Sequence, residues 1–295
     1  MDTMEFCSHE SITFTAKDPY VNWDLLEEMA RPTLHDRVKY HLDWYKSHYP
    51  NDWVGIFLYG SQNYDLATPA SDVDTKIIVL PSFKDLIFNR KPISVTLNLP
   101  NGEHCDVKDI RLMFDCFKKQ NINFLEILFT RWKIMNPEYE KLFQPIFNHR
   151  EEIASYDNYA AINSMNGMIV QKHKSMRKPT PATQHLIDEY GYNGKDLCHM
   201  RRIYSFMLDR MILGHRFESC LPTTGSLSEF CMAAKKQEMD LDIAISKAED
   251  INFLSKRLHD TYLETHPRKV NEFVDDIFEL VLTKIFTHKF REELK

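Results

Sequence analysis

Glycine is scarce in this chain, with 8 residues among 295, fewer than the 13 prolines and 19 phenylalanines. That balance argues against low-complexity sequence, and no internal repeat of the kind that builds a solenoid is present. Hydrophobic residues make up 43% and charged residues 27%, which are ordinary values for a globular protein with a buried core. The length favours two domains over one.

The chain also lacks paired cysteines and any apolar segment that would target or anchor it. No two of its six cysteines lie within four residues of each other, which excludes the paired-cysteine signature of a zinc site. The N-terminus has no basic start with a long apolar stretch, and no run approaches the ~18 apolar residues that span a bilayer. We therefore predict a reduced, cytoplasmic protein.

An excess of positive charge is missing as well. The chain has 37 Lys and Arg against 43 Asp and Glu, a formal net charge of −6. This balance disfavours a protein whose whole surface binds nucleic acid, although a local basic groove stays open. The densest basic run, 171–178, is typical of a solvated helix end, and contact with a nucleic-acid backbone is its alternative.

The two halves of the chain differ in their patterns. Before about residue 135, short apolar runs separated by turns predict strands, and after about residue 139 long helical patterns replace them. The strands are predicted at 53–59, 72–80, 93–99 and 103–110. We predict an α+β fold in which a domain of residues 1–135, with a small mixed or antiparallel sheet, precedes an all-helical domain of residues 136–295.

The most informative segment joins the first two predicted strands. Gly60 and Ser61 follow the first strand, and Asp72 and Asp74 open the second, which is otherwise apolar. A glycine lets backbone approach phosphate closely, and a serine adds a hydroxyl donor. Residues two apart in a strand share a face, so we predict two carboxylates side by side as Mg²⁺ ligands. Such pairs also occur without function, but an apolar strand makes unliganded carboxylates costly.

A two-metal site normally needs a third carboxylate. Asp106 is the candidate, because the predicted hairpin returns its strand beside the sheet. His104 shares the face of Asp106, whereas Glu103 and Asp109 lie on the opposite face and are predicted to be solvated. The alternative for Asp106 is an ordinary surface position.

A second constellation lies in the helical half. Lys195, His199 and Arg202 stand at i, i+4 and i+7, on one stripe of a predicted helix. Three cations on one stripe repel one another unless an anion lies among them, and a triphosphate would serve. The alternatives are a solvent-facing basic stripe, or a histidine packed in the core.

These motifs carry a family resemblance. Gly60-Ser61, then Ser71-Asp72-Val73-Asp74, then Asp106, resemble the nucleotidyltransferase superfamily typified by DNA polymerase beta. The Gly-Tyr turn at 191–192 with the Lys-x3-His-x2-Arg pattern that follows resembles a bacterial and phage family of predicted nucleotidyltransferases, some associated with RNA-repair ligases and kinases. The segment 123–128 is also similar to that family. The likeness spans about residues 54–215 and departs from the family pattern at 62–63 and 75–76, which removes no metal ligand.

The resemblance implies a nucleotidyltransferase-type domain at 1–135 and a helical domain at 136–295 that closes the nucleotide cleft. It implies transfer of a nucleoside monophosphate from a nucleoside triphosphate, with ATP expected, to an acceptor hydroxyl with two Mg²⁺ (or Mn²⁺) ions and release of pyrophosphate. The implied catalytic and metal-binding residues are Asp72, Asp74 and Asp106, and the implied nucleotide-binding residues are Gly60, Ser61, Lys195, His199 and Arg202.

The acceptor stays open at this point. An RNA end is the first expectation, and a protein hydroxyl, a small molecule or another nucleotide are the alternatives. Two other functions stay open as alternatives. One is a non-catalytic nucleotide-binding or regulatory module, and the other is a toxin or defence enzyme that modifies RNA or protein.

Overall fold

A five-stranded mixed sheet forms the centre of the fold. The computed structural model of the chain describes residues 3–4, 12–13, 32–69 and 71–294. The sheet has the spatial order β5-β6-β4-β3-β7, with β4 and β6 parallel and the other neighbours antiparallel. Its strands are β3 (Trp53–Tyr59), β4 (Asp74–Val79), β5 (Ser94–Asn98), β6 (His104–Asp109) and β7 (Lys133–Met135), and a separate pair is formed by β1 (Thr3–Met4) and β2 (Ile12–Thr13).

Helices surround the sheet and make up the part of the chain that follows it. They are α1 (Leu34–His48), α2 (Phe83–Ile87), α3 (Ile110–Lys118), α4 (Ile122–Leu125), α5 (Glu140–Asn148), α6 (Arg150–Ile153), α7 (Asn158–Ser175), α8 (Gln184–Tyr190), α9 (Gly194–Met207), α10 (Phe217–Cys220), α11 (Gly225–Lys235), α12 (Leu241–Thr265) and α13 (Phe273–Glu293). The predicted α+β class with a mixed sheet and a helical C-terminal half is confirmed. Within the described residues, no helix combines the length and the apolar character needed to cross a bilayer.

Helix α1 covers one face of the sheet. It begins with a capping box in which the Thr33 hydroxyl accepts from the Asp36 amide at 3.2 Å and the Asp36 carboxylate accepts from the Thr33 amide at 3.0 Å. Its buried side chains Val38, Leu42 and Tyr45 share one core cluster with alternate residues of β3 and β4. This helix therefore places its polar groups within reach of the ends of those strands.

The other sheet face packs against the helical half. Ile78 of β4 belongs to a core cluster that continues through α3 and α5 into the C-terminal helices. Phe114 of α3 stacks on Phe278 of α13 with ring centroids 4.4 Å apart. Both faces of β4 are therefore buried, as its near-continuous apolar sequence predicts. The core also runs without interruption across residue 135.

Three local features differ from the sequence predictions. Strand β7 was not predicted, because its three residues, Lys133–Met135, are too few to show alternation. The single helix predicted at 152–178 is two helices, since Asp157 ends the connection and caps α7 by accepting from the amides of Tyr159 and Ala160. The second strand begins at Asp74, so Asp72 lies in the loop before it.

Candidate active site

A cavity of about 470 Å³ lies between the end of the sheet and the helical half. The sheet side contributes the end of β3, the turn after it, the loop before β4 and part of the α4 region. The helical side contributes α7, α9 and α11. The lining residues are Tyr59, Gly60, Ser61, Tyr64, Leu66, Thr68, Ser71, Asp72, Asp74, Asn123, Glu126, Met168, Lys172, Lys195, Cys198, His199, Arg202, Ile203 and Lys235. Seven of the eight residues predicted to form the site therefore line one cavity, and Asp106 is the exception.

The Gly60 turn shapes the end of β3. Gly60 has φ +91°, a conformation that side chains other than glycine's disfavour, and the short 3₁₀ helix Ser61–Tyr64 follows it. The Gly60 amide donates to Glu126 Oε2 at 3.1 Å, and Asn63 Nδ2 donates to the same oxygen at 3.2 Å. The amide of Gly60 is thus already paired, and Glu126 holds the turn against the α4 region.

Asp72 and Asp74 both line the cavity, but they do not stand on one strand face as predicted. Asp74 opens β4 and is partly buried, while Asp72 is exposed on the preceding loop. Burial raises the pKa of Asp74, and the nearby charges of His104 and Lys195 oppose this rise while Asp72 adds to it. A carboxylate in such surroundings gains from a cation placed beside it.

The loop that carries Asp72 is held by Glu103, a residue predicted to be solvated. Glu103 is 3% exposed, and its Oε1 accepts from the Val73 amide at 2.9 Å. Arg37 of α1 forms an ion pair with the same carboxylate and donates to the Ser71 carbonyl. The prediction for Glu103 was wrong because α1 covers its face of the sheet. The prediction for Asp109 was wrong too, since it is 2% exposed and pairs with Arg111.

His41 completes the polar contacts of α1 beneath this loop. It is fully buried, with Nε2 2.8 Å from Glu103 and Nδ1 2.8 Å from the Thr75 hydroxyl. Burial, and then the charge of Arg37, lower its pKa from 6.5 to about 4. His41 is therefore neutral at pH 7, with the proton on Nε2 donated to the carboxylate.

We expect the neutral His41 to make folding stability depend on pH. Between pH 6.5 and 4 the unfolded chain binds a proton at this histidine while the folded chain does not, so the free energy of unfolding falls as the pH is lowered through that window. Denaturant unfolding across this range measures the slope of the free energy of unfolding against pH. His41→Gln should have a shallower slope than wild type, because unfolding then takes up as much as one proton fewer, which corresponds to about 1.4 kcal/mol per pH unit. His35→Gln, on the exposed face of α1, is the control. Equal slopes for His41→Gln and wild type would contradict the assignment.

Asp106 stands apart from the other two aspartates. In the parallel pairing of β4 and β6, Asp74 is level with His104, and Asp106 is level with Lys76. Lys76 Nζ lies 2.8 Å from Asp106 Oδ2. Burial acts to raise the pKa of Asp106, but the Lys76 ammonium and donated hydrogen bonds outweigh it, and the pKa lies below its ordinary value.

In the part of the chain that the structure describes, no cluster of three carboxylates is therefore assembled. Among the described residues, no three histidine, cysteine, aspartate or glutamate side chains are grouped so that they could hold a metal ion. The donors that fit a divalent cation are the oxygens of Asp72 and Asp74 at the cavity wall, because hard cations prefer carboxylate ligands. The role of Asp106 as a metal ligand stays a prediction. Its ion pair with Lys76 argues against that role.

Helix α9 brings its predicted stripe to the opposite wall of the cavity. Lys195 is exposed and forms no ion pair or side-chain hydrogen bond with any residue that the structure describes. His199 lies among positive charges, and burial followed by those charges lowers its pKa well below the ordinary value, so it is neutral at pH 7. Arg202 is 3% exposed, with its guanidinium carbon 3.6 Å from the centre of the Tyr64 ring.

The guanidinium of Arg202 has unused donors. Its Nη1 and Nη2 are buried and have no hydrogen-bond partner among the described residues. The Glu126 carboxylate and the Tyr64 hydroxyl are buried beside it, and the charge of Arg202 acts on both. Buried donors without acceptors are costly, so an anionic ligand in the cavity would satisfy Arg202.

Sequence reasoning missed three charged residues of the site. Glu126 was noted only within a family-like segment, although an acidic residue in an apolar helix was a usable signal. Lys172 was assigned to a basic run, but it lines the cavity and pairs with Asp196 at 2.8 Å. Lys235 Nζ donates to the Leu66 carbonyl at 2.9 Å, a contact 169 residues apart in sequence that no local pattern signals.

Comparisons with known proteins add little to this geometry. No protein-family model matches the chain, and no curated protein matches it. Among solved structures, the chain is similar to a nucleotidyltransferase-like protein from Exiguobacterium sibiricum 255-15, with 12% identity over 77% of each chain and a TM-score of 0.32. A likeness this distant assigns neither an activity nor a substrate.

Proposed function

We propose that this protein is a nucleotidyltransferase that transfers a nucleoside monophosphate from a nucleoside triphosphate to an acceptor hydroxyl. The observation that carries the proposal is the charge arrangement of the cavity. The carboxylates of Asp72 and Asp74 line its sheet side, together with Glu126, which accepts from the Gly60 amide, and four cationic side chains line its helical side. Those four are Lys172, Lys195, Arg202 and Lys235. A triphosphate with its divalent cation matches both walls.

Each wall has its own part in the reaction. Lys195 and Arg202 bind the phosphates that leave, and their positive charge stabilises the pyrophosphate as the bond between the α-phosphorus and the bridging oxygen breaks. Asp72 and Asp74 would hold Mg²⁺ or Mn²⁺, which supplies charge neutralisation on the phosphates. Ser61 adds a hydroxyl at the turn, and neutral His199 offers a hydrogen bond without further charge. The acceptor oxygen attacks the α-phosphorus, and its proton is released.

The test is transfer of label from each of the four nucleoside triphosphates, labelled at the α-phosphate, in the presence of Mg²⁺. An RNA with a free 3′ end is the first acceptor, and a protein mixture and small hydroxyl compounds form the other arms. Incorporation of α-label with release of pyrophosphate supports the reaction. Absence of incorporation in every arm, with tight nucleotide binding, would reject it.

A second candidate is a nucleotide-binding module without transfer. The observation that favours it is the ion pair of Asp106 with Lys76, since only two of the three predicted carboxylate ligands then line the cavity. Equilibrium binding measured beside the transfer assay separates the two functions. Binding without transfer supports the module, and transfer supports the enzyme.

Lys195 provides a further prediction, because its removal is not expected to disturb the fold. Lys195→Met should weaken binding of the preferred nucleoside triphosphate about tenfold, since a charge-assisted contact to phosphate is lost at an exposed position. The loss should shrink at high salt, because exposed charges are screened. Fluorescence or calorimetric titration at two salt concentrations measures both effects.

Lys236→Met is the matched control for this change. Lys236 is an exposed neighbour of the cavity lysine Lys235 and does not line the cavity. It loses the same charge, so it reports the general electrostatic effect. Equal affinities for Lys195→Met and Lys236→Met would contradict the assigned phosphate contact.

A further inference from the structure

Lys76 is a buried cation next to the proposed cation site. It is 3% exposed, and its ammonium lies 3.4 Å from the centre of the Tyr59 ring and 4.6 Å from that of Phe124. Between two aromatic faces a cation is stabilised by the ring electrons, and the long side chain has little room to change position. The ion pair with Asp106 at 2.8 Å completes its surroundings.

Asp106 is correspondingly saturated. Its Oδ1 accepts from the Thr96 hydroxyl at 2.5 Å, and its Oδ2 accepts from the Tyr59 hydroxyl at 3.2 Å in addition to Lys76. Three donors on one carboxylate leave little capacity for a metal ion, and the adjacent ammonium repels one. A second divalent cation would have to displace a lysine that has no other carboxylate partner among the described residues.

The strand register gives an independent reason. Asp106 is level with Lys76, two residues further along the parallel pair than the level of Asp74 and His104. At about 3.3 Å per residue, this offset of two residues separates the backbone positions of Asp74 and Asp106 along the parallel strands. His104, and not Asp106, is the β6 residue beside Asp74, with its Nδ1 3.5 Å from Asp74 Oδ1.

We propose that Lys76 is a built-in counter-ion that takes the place of a second divalent cation, so that the site binds one divalent cation, through Asp72 and Asp74, with Asp106 outside its coordination. This inference rests on the proposed function, since it concerns the cation that accompanies the nucleotide. Lys76 and Asp106 then act as positioning residues. Asp106 accepts from the Tyr59 hydroxyl and Lys76 lies over the Tyr59 ring, so both fix the position of this residue of the cavity wall. The ammonium of Lys76 is also a permanent positive charge near Asp74.

The experiment counts Mn²⁺ by electron paramagnetic resonance on the full chain saturated with α,β-methylene-ATP, which cannot transfer its α-phosphate. Wild type should bind one Mn²⁺ per chain after subtraction of Mn²⁺ bound to free nucleotide. Asp106→Asn should keep the count at one Mn²⁺ per chain, and Asp74→Asn should weaken that ion at least about tenfold. Asp106→Asn removes the negative charge and keeps one acceptor oxygen, so it can accept from Tyr59 or from Thr96 but not from both in the present arrangement.

Different results overturn different statements. Two Mn²⁺ in wild type, one of them lost in Asp106→Asn, would overturn the single-cation inference and leave the proposed function standing. Mn²⁺ binding untouched by Asp74→Asn would overturn the cation site, and with it the site of the proposed function. If Asp106→Asn fails to fold, because it strands a buried ammonium, the double variant Lys76→Met with Asp106→Asn removes both charges and is counted in the same way.

Discussion

Replacement of Asp72 and Asp74 together by alanine should abolish α-label transfer, with a loss of at least about a thousandfold. A divalent cation contributes several kcal/mol to phosphoryl transfer, and each 1.36 kcal/mol is a tenfold change in rate. Folding should be little affected, because Asp72 is exposed and the raised pKa of Asp74 reflects burial that disfavours its charge. The measurement is the transfer assay at saturating nucleotide, with thermal unfolding of each variant beside it.

A charge-matched control separates the site from the general loss of two negative charges. Asp43→Ala with Asp188→Ala removes two exposed aspartates from helices α1 and α8 that do not line the cavity. This variant should transfer at the wild-type rate. If the Asp72 and Asp74 double variant still transfers label like the control, the chemistry lies elsewhere in the molecule.

The second large effect concerns Gly194, the first residue of α9. A Cβ at this position would overlap the carbonyl oxygen of Ala234 in α11, and it would lie 2.5 Å from Gln237 Oε1. That Gln237 oxygen accepts from the Gly194 amide at 3.0 Å, and Gln237 Nε2 donates to the Tyr192 carbonyl. Backbone cannot yield as a flexible side chain does, so α9 and α11 would have to separate.

Gly194→Ala should therefore destabilise the protein by about 3 kcal/mol or more and lower the melting temperature by roughly 5–10 °C. It should also weaken nucleotide binding, because α9 carries Lys195, His199 and Arg202. Calorimetry and nucleotide titration measure the two effects. Gly167→Ala is the control, since an added Cβ there meets nothing within 4 Å in the helix interior of α7. It should stabilise by about 0.5–1 kcal/mol, and equal behaviour of the two variants would refute the close approach.

Local patterns were sufficient for most of the secondary structure. The apolar runs that became β3, β4, β5 and β6 are bounded by turn residues, and the turn at 101–102 joins an antiparallel pair as predicted, with Gly102 at φ +83°. The long C-terminal helices have sustained helical periodicity, which is the strongest sequence signal. The motif residues at 60–61, 72–74 and 195–202 could be chosen because charge or glycine interrupts otherwise apolar segments.

Predictions failed where exposure depended on a distant element. Glu103 and Asp109 alternate correctly with Asp106, yet their face is covered by α1 and the start of α3, so alternation alone could not give their burial. The role of Asp106 as a third ligand stays a prediction, and the strand register places His104, not Asp106, level with Asp74. The register of β4 and β6 depends on how both strands pack against the helices on the two faces of the sheet.

The sequence by itself determined the order of most strands and helices and the mixed class of the fold, because turn residues and apolar periodicity act over a few positions. Only the tertiary structure decided how the charged residues meet. It places the side chains of Lys172, Lys195, Arg202 and Lys235 on one wall of the cavity. It also pairs Asp106 with Lys76, outside the cavity lining. The physical reason is that charge pairing and desolvation depend on distances across the core, which residues far apart in sequence establish together.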